Sequence, residues 1–243
     1  MNRPWSGYVQ PLDAFTGPGV CSHNEDHFAA FPIQRLWVLV DAFGGSGSGA
    51  FVGPLLVDAL LSSWVRTDAP TDVRMRNAIA AANDALVRAT RSVHRGSGAS
   101  LVAVAVDAPD SVVVAHVGSC KAFVLRGCTC NAVTTEHTIA AERPSAGPAY
   151  RDVLTRVLGE DAQHAEPTVR RISLAPDDGI LLCSAPVHEA LDIETMQSIL
   201  GALGSHASAA EALVTAATER GAMNSTVVVL PRIGKAGAEP SGA

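Results

Sequence analysis

The chain has 243 residues, of which 47% are hydrophobic and 17% charged, with a formal net charge of −6. That apolar content suffices for one sizeable core and excludes a disordered chain. A charged fraction below the roughly 25% of ordinary domains excludes a long charged coiled coil, and no basic stripe points to nucleic acid.

With 21 Gly and 14 Pro the chain is neither collagenous nor a low-complexity linker. The longest apolar runs are about eight residues, far short of the ~20 that a membrane-spanning helix needs. Residues 1–13 have no apolar core of signal-peptide length. Five cysteines, an odd number set mostly in apolar runs, read as reduced thiols of a cytoplasmic protein. Cys128 and Cys130 lack a second pair at zinc spacing.

Leu36–Val40 is a short continuous apolar run, the mark of a buried strand. It ends in Asp41 and a glycine-rich stretch, residues 44–49. Phe51 to Val65 and Val73 to Val93 carry apolar residues at helical spacing. Then the period changes. Ser100–Val106, Ser111–Val117 and Ala122–Leu125 are short β-rich runs separated by turn residues, expected as an antiparallel meander. Val169–Leu174 and Ile180–Cys183 flank Pro176-Asp177-Asp178-Gly179 and read as a hairpin. Ile193–Leu203 and Ala207–Arg220 are helical, and Thr226–Leu230 is a closing strand. Residues 140–149 read as a surface excursion. The order predicts one α+β layered domain over roughly residues 5–232 and a flexible tail at 233–243.

Carboxylates stand where strands end. Glu25 and Asp26 precede one apolar run, and Asp41 closes another. Consecutive residues on a strand alternate faces, so one of Glu25 and Asp26 is placed to point where Asp41 points. Hard cations such as Mg²⁺ and Mn²⁺ take oxygen ligands of this kind. Solvated turn carboxylates are the competing reading. His23 and His27 flank the pair as surface histidines or substitute ligands. His116 and His137 read as structural, and Cys120 as a buried thiol.

Asn24-Glu25-Asp26, then Leu36–Asp41 with Gly44, Gly45 and Gly49, resembles the opening of the metal-dependent PP2C-type (PPM) serine/threonine phosphatases. The resemblance continues in order through Gly98-Ala99-Ser100, Ala115-His116-Val117-Gly118 and Thr135-Glu136-His137-Thr138. It goes on through Leu154–Gly159, Leu181–Ser184 and Asn224–Val229. It implies a four-layer α-β-β-α sandwich of two antiparallel sheets flanked by helix pairs, with two bridged metal ions activating a water for in-line attack on phosphorus.

The resemblance also implies roles. Asp41 falls on the carboxylate that bridges the two metals, Glu25 on a ligand of one of them, and Asp26 on a carboxylate behind it. Asn224 is retained beside the site. Other positions depart from the family pattern. The two remaining Asp ligands fall on Ala185 and Met223, and the accessory-metal Asp falls on Ser119. The phosphate-binding Arg falls on Cys21, and the Gly after the bridging Asp on Ala42. Neither Ala nor Met binds a hard cation. Met223 is expected to fill the vacated space as an apolar plug.

The expectation is therefore a pseudophosphatase, a domain without an intact catalytic set. It would act as a binding or regulatory module in Ser/Thr phosphorylation signalling. Its expected partner is a protein (a kinase, a phosphoprotein or a signalling complex), not nucleic acid or membrane. No cofactor is expected, or at most one weakly bound Mg²⁺ or Mn²⁺ at Glu25, Asp26 and Asp41. The alternative is a weakly active Mg²⁺/Mn²⁺-dependent phosphoserine/phosphothreonine protein phosphatase that uses those three carboxylates.

Overall fold

Leu36–Val40 is apolar throughout because both of its faces are covered, and that double burial sets the layers. Leu36, Val38 and Val40 pack among helix residues such as Leu56, Leu60 and Ile79. Trp37 and Leu39 point the other way, into a second sheet. The computed structural model describes residues 12–44, 49–90, 96–203 and 208–230. Residues 5–11 of the expected domain, positions 45–48 of the glycine stretch, the 91–93 end of the second helix, Ala207 and the 233–243 tail lie outside these.

In chain order the elements are β1 (Asp13–Gly17), β2 (Asp26–Phe31), β3 (Leu36–Phe43), α1 (Gly49–Arg66), α2 (Thr71–Thr90), β4 (Gly98–Ala108), β5 (Ser111–Val117), β6 (Lys121–Arg126), β7 (Thr129–Ala132), α3 (Ile139–Glu142), β8 (Thr168–Ser173), β9 (Gly179–Cys183), α4 (Ala185–Ala190), α5 (Ile193–Leu203), α6 (Ala209–Glu219) and β10 (Ser225–Leu230). One sheet has the order β2-β3-β4-β5-β8 and the other β1-β10-β9-β6-β7. Every strand pairing is antiparallel. Helices α1 and α2 cover the first sheet. Helices α4, α5 and α6 cover the second, through Val187, Met196, Leu200, Leu213 and Ala217. Between the sheets lies a dry layer built from Trp37, Leu39, Val102 and Val104 against Ala122, Ile180, Leu182 and Val228. This is the α-β-β-α sandwich that the resemblance implied.

Two local expectations fail. The predicted meander stops after β5, because β6 belongs to the other sheet. Gly118 makes that crossing with φ 86°, a left-handed conformation that costs glycine little. The predicted hairpin of β8 and β9 is not one either: β8 pairs with β5, and β9 with β6 and β10. The turn chemistry at 175–178 is real, but it carries the chain from one sheet to the other. Buried Asp178 pins it, accepting from the Ala175 N–H at 2.9 Å and from two Arg126 nitrogens at 2.7 and 2.9 Å. Residues 140–149 do form a surface excursion, made of α3 and two single 3₁₀ turns. Among the described residues no helix is long and apolar enough to cross a membrane.

The sheet crossing is testable. A side chain at residue 118 would collide with Ser100. Gly118→Ala is expected to lower the free energy of unfolding by roughly 2 kcal/mol in chemical denaturation, the sum of a strained φ and a displaced neighbour. An unchanged midpoint would contradict this.

Candidate active site

Alternation along β3 decides where Asp41 points. Trp37 and Leu39 face the second sheet, so Asp41 does too, at the open end of the inter-sheet layer. Antiparallel pairing sets Asp26 directly opposite Asp41. Opposed residues share a face with Cβ atoms about 5 Å apart. Of the two neighbouring acids it is therefore Asp26 that meets Asp41. Glu25 lies just outside β2. Asn24 Oδ1 accepts the Asp26 N–H at 3.0 Å, and Asn24 Nδ2 donates to Thr16 Oγ1 at 2.7 Å, which fixes the approach to the strand.

Asp26 is only 9% exposed, and neither carboxylate oxygen has a hydrogen-bond partner. The nearby hydroxyls are engaged elsewhere. Thr226 Oγ1 is 2.6 Å from Thr16 Oγ1, and Ser184 Oγ donates to the Asn224 carbonyl at 3.4 Å. Burial, and then the charge of Asp41, push the Asp26 carboxyl well above the ordinary range, with the two hydroxyls offsetting only part of this. Burial likewise lifts Asp41 to about 6, opposed by the bond that its Oδ2 accepts from the Ala185 N–H at 3.2 Å. Two facing carboxylates in a low-dielectric site disfavour ionisation unless a positive charge neutralises them.

Other chain ends converge on the same rim. Ser100 is opposite Asp41 on β4. Ser119 donates its N–H to Ser100 Oγ at 3.1 Å, and the two hydroxyl oxygens are 3.2 Å apart. Ala185 opens α4 directly after β9, and Asn224 precedes β10, its Oδ1 buried without a hydrogen-bond partner.

Several sequence expectations need correction. Met223 does not plug the site: it is 56% exposed, on a loop that turns its side chain outward. Strand β3 continues through Ala42, which is buried toward the helices. His27 cannot join Asp26, because neighbouring strand residues face opposite sides. His23 is exposed and bonded to Ser22 Oγ at 2.9 Å. Cys21 sits in the loop before β2, its N–H donating to the Pro18 carbonyl at 3.0 Å. Cys120 is fully buried, and burial with the Asp41 and Asp26 charges pushes its thiol up, as an inert core group requires. Glu189, which lies near enough for its charge to raise Asp41, went unnoticed in the sequence. Its only signal is its place four residues after Ala185.

His116 and His137 stack with ring centroids 4.4 Å apart. The Gly118 N–H donates to His137 Nδ1 at 3.2 Å, and His137 Nε2 donates to Thr168 Oγ1 at 2.9 Å. His137 thereby holds the crossing loop as a neutral ring. Burial, then His116 and Arg156, push it down to about 3.

The donor set admits a test of metal fit. Asp26 offers two buried oxygens without a hydrogen-bond partner, and Asp41 faces it with one oxygen bonded to the Ala185 N–H, a set that suits a divalent cation. Ala185, Met223 and Ser119 add no carboxylate. Among the described residues no three His, Cys, Asp or Glu side chains already converge to hold a metal ion.

No sequence-family model matches the chain. The serine/threonine phosphatase stp of Listeria welshimeri is 26% identical over 227 residues, covering 86% of this chain and 89% of that protein. PppA of Pseudomonas aeruginosa superposes with a TM-score of 0.80 at 25% identity, over 93% of this chain and 99% of that one. The PstP catalytic domain, solved in complex with two manganese ions, gives 0.74 at 24% identity, over 90% and 96%. The fold is that of the PP2C-type phosphatases. The chain is similar in sequence and in fold to serine/threonine phosphatases of this type.

These likenesses overturn the expectation of no cofactor, or at most one weakly bound ion. The PstP domain carries two manganese ions, so metal cofactors are expected of this fold. The replacements at 185, 223 and 119 remove carboxylates, but the Asp26 oxygens opposite Asp41 remain buried without a hydrogen-bond partner. The curated relatives are phosphatases by name.

The histidine predicts a pH effect. Its folded pKa of about 3 lies below the ordinary 6.5, so the unfolded chain binds the proton first. Its contribution is whole above pH 6.5 and is lost as pH falls toward 3. The raised pKa values of Asp26 and Asp41 act with the opposite sign. Comparing the wild type with His137→Gln cancels them. The wild type's stability advantage is expected to shrink by about 2 kcal/mol between pH 7 and pH 5 in denaturant titrations. A constant advantage would refute the neutral-ring role.

Proposed function

We propose that the chain is a Mg²⁺/Mn²⁺-dependent phosphoserine/phosphothreonine protein phosphatase of the PP2C type. The observation that carries this reading is the Asp26 carboxylate, nine-tenths buried, opposite Asp41, with neither oxygen hydrogen-bonded. Leaving such a group without a partner costs several kcal/mol, and the fold keeps it at the open end of the inter-sheet layer. Asp26 and Asp41, with Glu25 beside them, would hold the cation. A divalent cation there supplies Lewis-acid polarisation of a phosphoryl oxygen and an acidified water.

The chain's own groups do the positioning. The Ala185 N–H fixes one Asp41 oxygen and leaves the other toward the pair. The Ser100 and Ser119 hydroxyls line the adjoining rim. Cys21 contributes no guanidinium to clamp the phosphate, so turnover is expected to be slow.

A second reading keeps the fold as a protein-binding module for a kinase or phosphoprotein. It is favoured by Ala185, Met223 and Ser119, which bring no carboxylate to the rim.

Turnover of a phosphothreonine peptide separates the two. The first reading expects turnover that requires Mn²⁺ or Mg²⁺, vanishes with a chelator, and falls about a hundredfold or more in Asp41→Asn. No turnover at any metal concentration, in protein that is folded, would overturn it in favour of the second.

A further inference from the structure

Two loops pack against each other at the open end of the inter-sheet layer. One joins β1 to β2 and carries Val20 and Cys21; the other leads into β10 and carries Met223 and Asn224. Gly19, with φ 57°, lets the first loop lie on the second, since a side chain there would collide with the Ala222 and Met223 backbone. The Val20 N–H then donates to the Ala222 carbonyl at 3.2 Å.

Hydrogen bonds tie this loop pair to Asp41. Ser184 Oγ donates to the Asn224 carbonyl at 3.4 Å, and the next residue, Ala185, gives its N–H to Asp41 Oδ2 at 3.2 Å. Ser225 Oγ donates to the Met223 carbonyl at 2.7 Å, which fixes the turn around Asn224. Val20 and Met223 are 65% and 56% exposed, although both are large apolar residues. Neither 18–24 nor 221–225 contains Asp, Glu, Lys or Arg apart from none adjoining these two side chains. The resemblance leads one to expect an Arg at 21 and an Asp at 223, so the chain has exchanged a charged border for an apolar one.

We propose that Val20 and Met223 form an apolar shelf that receives an apolar side chain next to the phosphorylated residue of a substrate peptide. This rests on the phosphatase reading above and adds a sequence preference to it.

The size and the charge of the shelf argue for this occupant. Two side chains are far short of the roughly 800 Å² per partner that a stable protein–protein interface buries, so the shelf does not hold a second copy of the chain. They match one side chain of a peptide. Neighbouring residues of an extended peptide are about 3.4 Å apart, so a residue flanking one that enters the carboxylate site falls on its border. A charged flanking residue would give up water there and find no ion pair on either loop.

The test uses three phosphothreonine peptides with Leu, Ser or Asp on both sides of the phosphothreonine. Turnover is measured on the full chain with Mn²⁺. Binding is read by fluorescence anisotropy on the same peptides carrying a phosphonate, whose carbon–phosphorus bond is not hydrolysed. The melting temperature reports folding. The wild type is expected to favour the Leu peptide over the Asp peptide about tenfold in kcat/KM, through KM, and about as much in binding. Met223→Ser should lose most of this preference and Met223→Leu should keep it. Ile33→Ser, at an exposed apolar position in the turn at the far end of β2, is the control and should keep it too. The inference is overturned if the wild type does not favour the Leu peptide, if Met223→Ser retains the preference, or if Ile33→Ser loses it equally. With turnover intact, each of these outcomes leaves the phosphatase reading standing. A Leu preference in binding without turnover of any peptide would overturn that reading and uphold the shelf. Neither binding nor turnover of any peptide would overturn both.

Discussion

The meeting of Asp26 and Asp41 across β2 and β3 is the constraint around which the rest of the site is arranged. It follows from two elementary facts. Side chains on a strand alternate, and antiparallel register sets particular residues opposite one another. Trp37 and Leu39 commit one face of β3 to the inter-sheet core, so the next residue on that face, Asp41, must stand at the core's open end. A carboxylate there is half inside a low-dielectric layer, and a second one opposite it raises the cost further. Among the described residues no cation pairs with either acid: one Asp41 oxygen takes a backbone N–H, and the Asp26 oxygens take no hydrogen bond. A fold that tolerates this either uses a cation or gives up stability.

The surrounding structure shows how the ends of both sheets are brought to that point. Gly118 lets the chain leave β5 and enter the other sheet within three residues, which places Ser119 against Ser100. His137 braces the same turn as a neutral ring between the Gly118 N–H and Thr168. Buried Asp178, paired with the exposed Arg126, anchors the second crossing between sheets. Energy spent on crossings of this kind is recovered in the apolar layer between the sheets, where Val102, Val104, Ile180, Leu182 and Val228 exclude water. Architecture and site are thus one arrangement, since the layer that stabilises the sandwich is also what buries the acids.

Much of this was legible in the sequence, and the reasons for success and failure are physical. Leu36–Val40 reads correctly because a strand covered on both faces must be apolar throughout. Ile193–Leu203 reads correctly because a helix with one buried face has a 3.6-residue period. Sheet membership was not legible. Ser111–Val117 and Ala122–Leu125 look like successive strands of one meander, since nothing in a strand's composition says which sheet it joins. Likewise Pro176–Gly179 has turn chemistry whether the flanking strands pair or part. Helix α4 is six residues long, too short to show a period, and Pro186 in its first turn reads as a loop. Hence Glu189 was missed, and with it a carboxylate near Asp41. Motif spacing pointed to Glu25, Asp26 and Asp41, but only register says that Asp26 is the one that faces Asp41. The outward turn of Met223 depends on the loop before β10, about which residue type says nothing.

The account stands or falls on whether the carboxylate pair is a cation site. The most direct measurement is the free energy of unfolding at pH 7.5, with and without Mn²⁺, for the wild type and Asp26→Asn. A ligand that binds only the folded state stabilises it in proportion to the logarithm of its concentration. The account predicts that Mn²⁺ stabilises the wild type and not the variant. It further predicts that the metal-free variant is at least as stable as the metal-free wild type, because the repulsion is gone. A wild type indifferent to Mn²⁺, with Asp26→Asn less stable than it in the absence of metal, would contradict the account. Asp26 would then be a structural carboxylate, and the pair would have no claim on a cation.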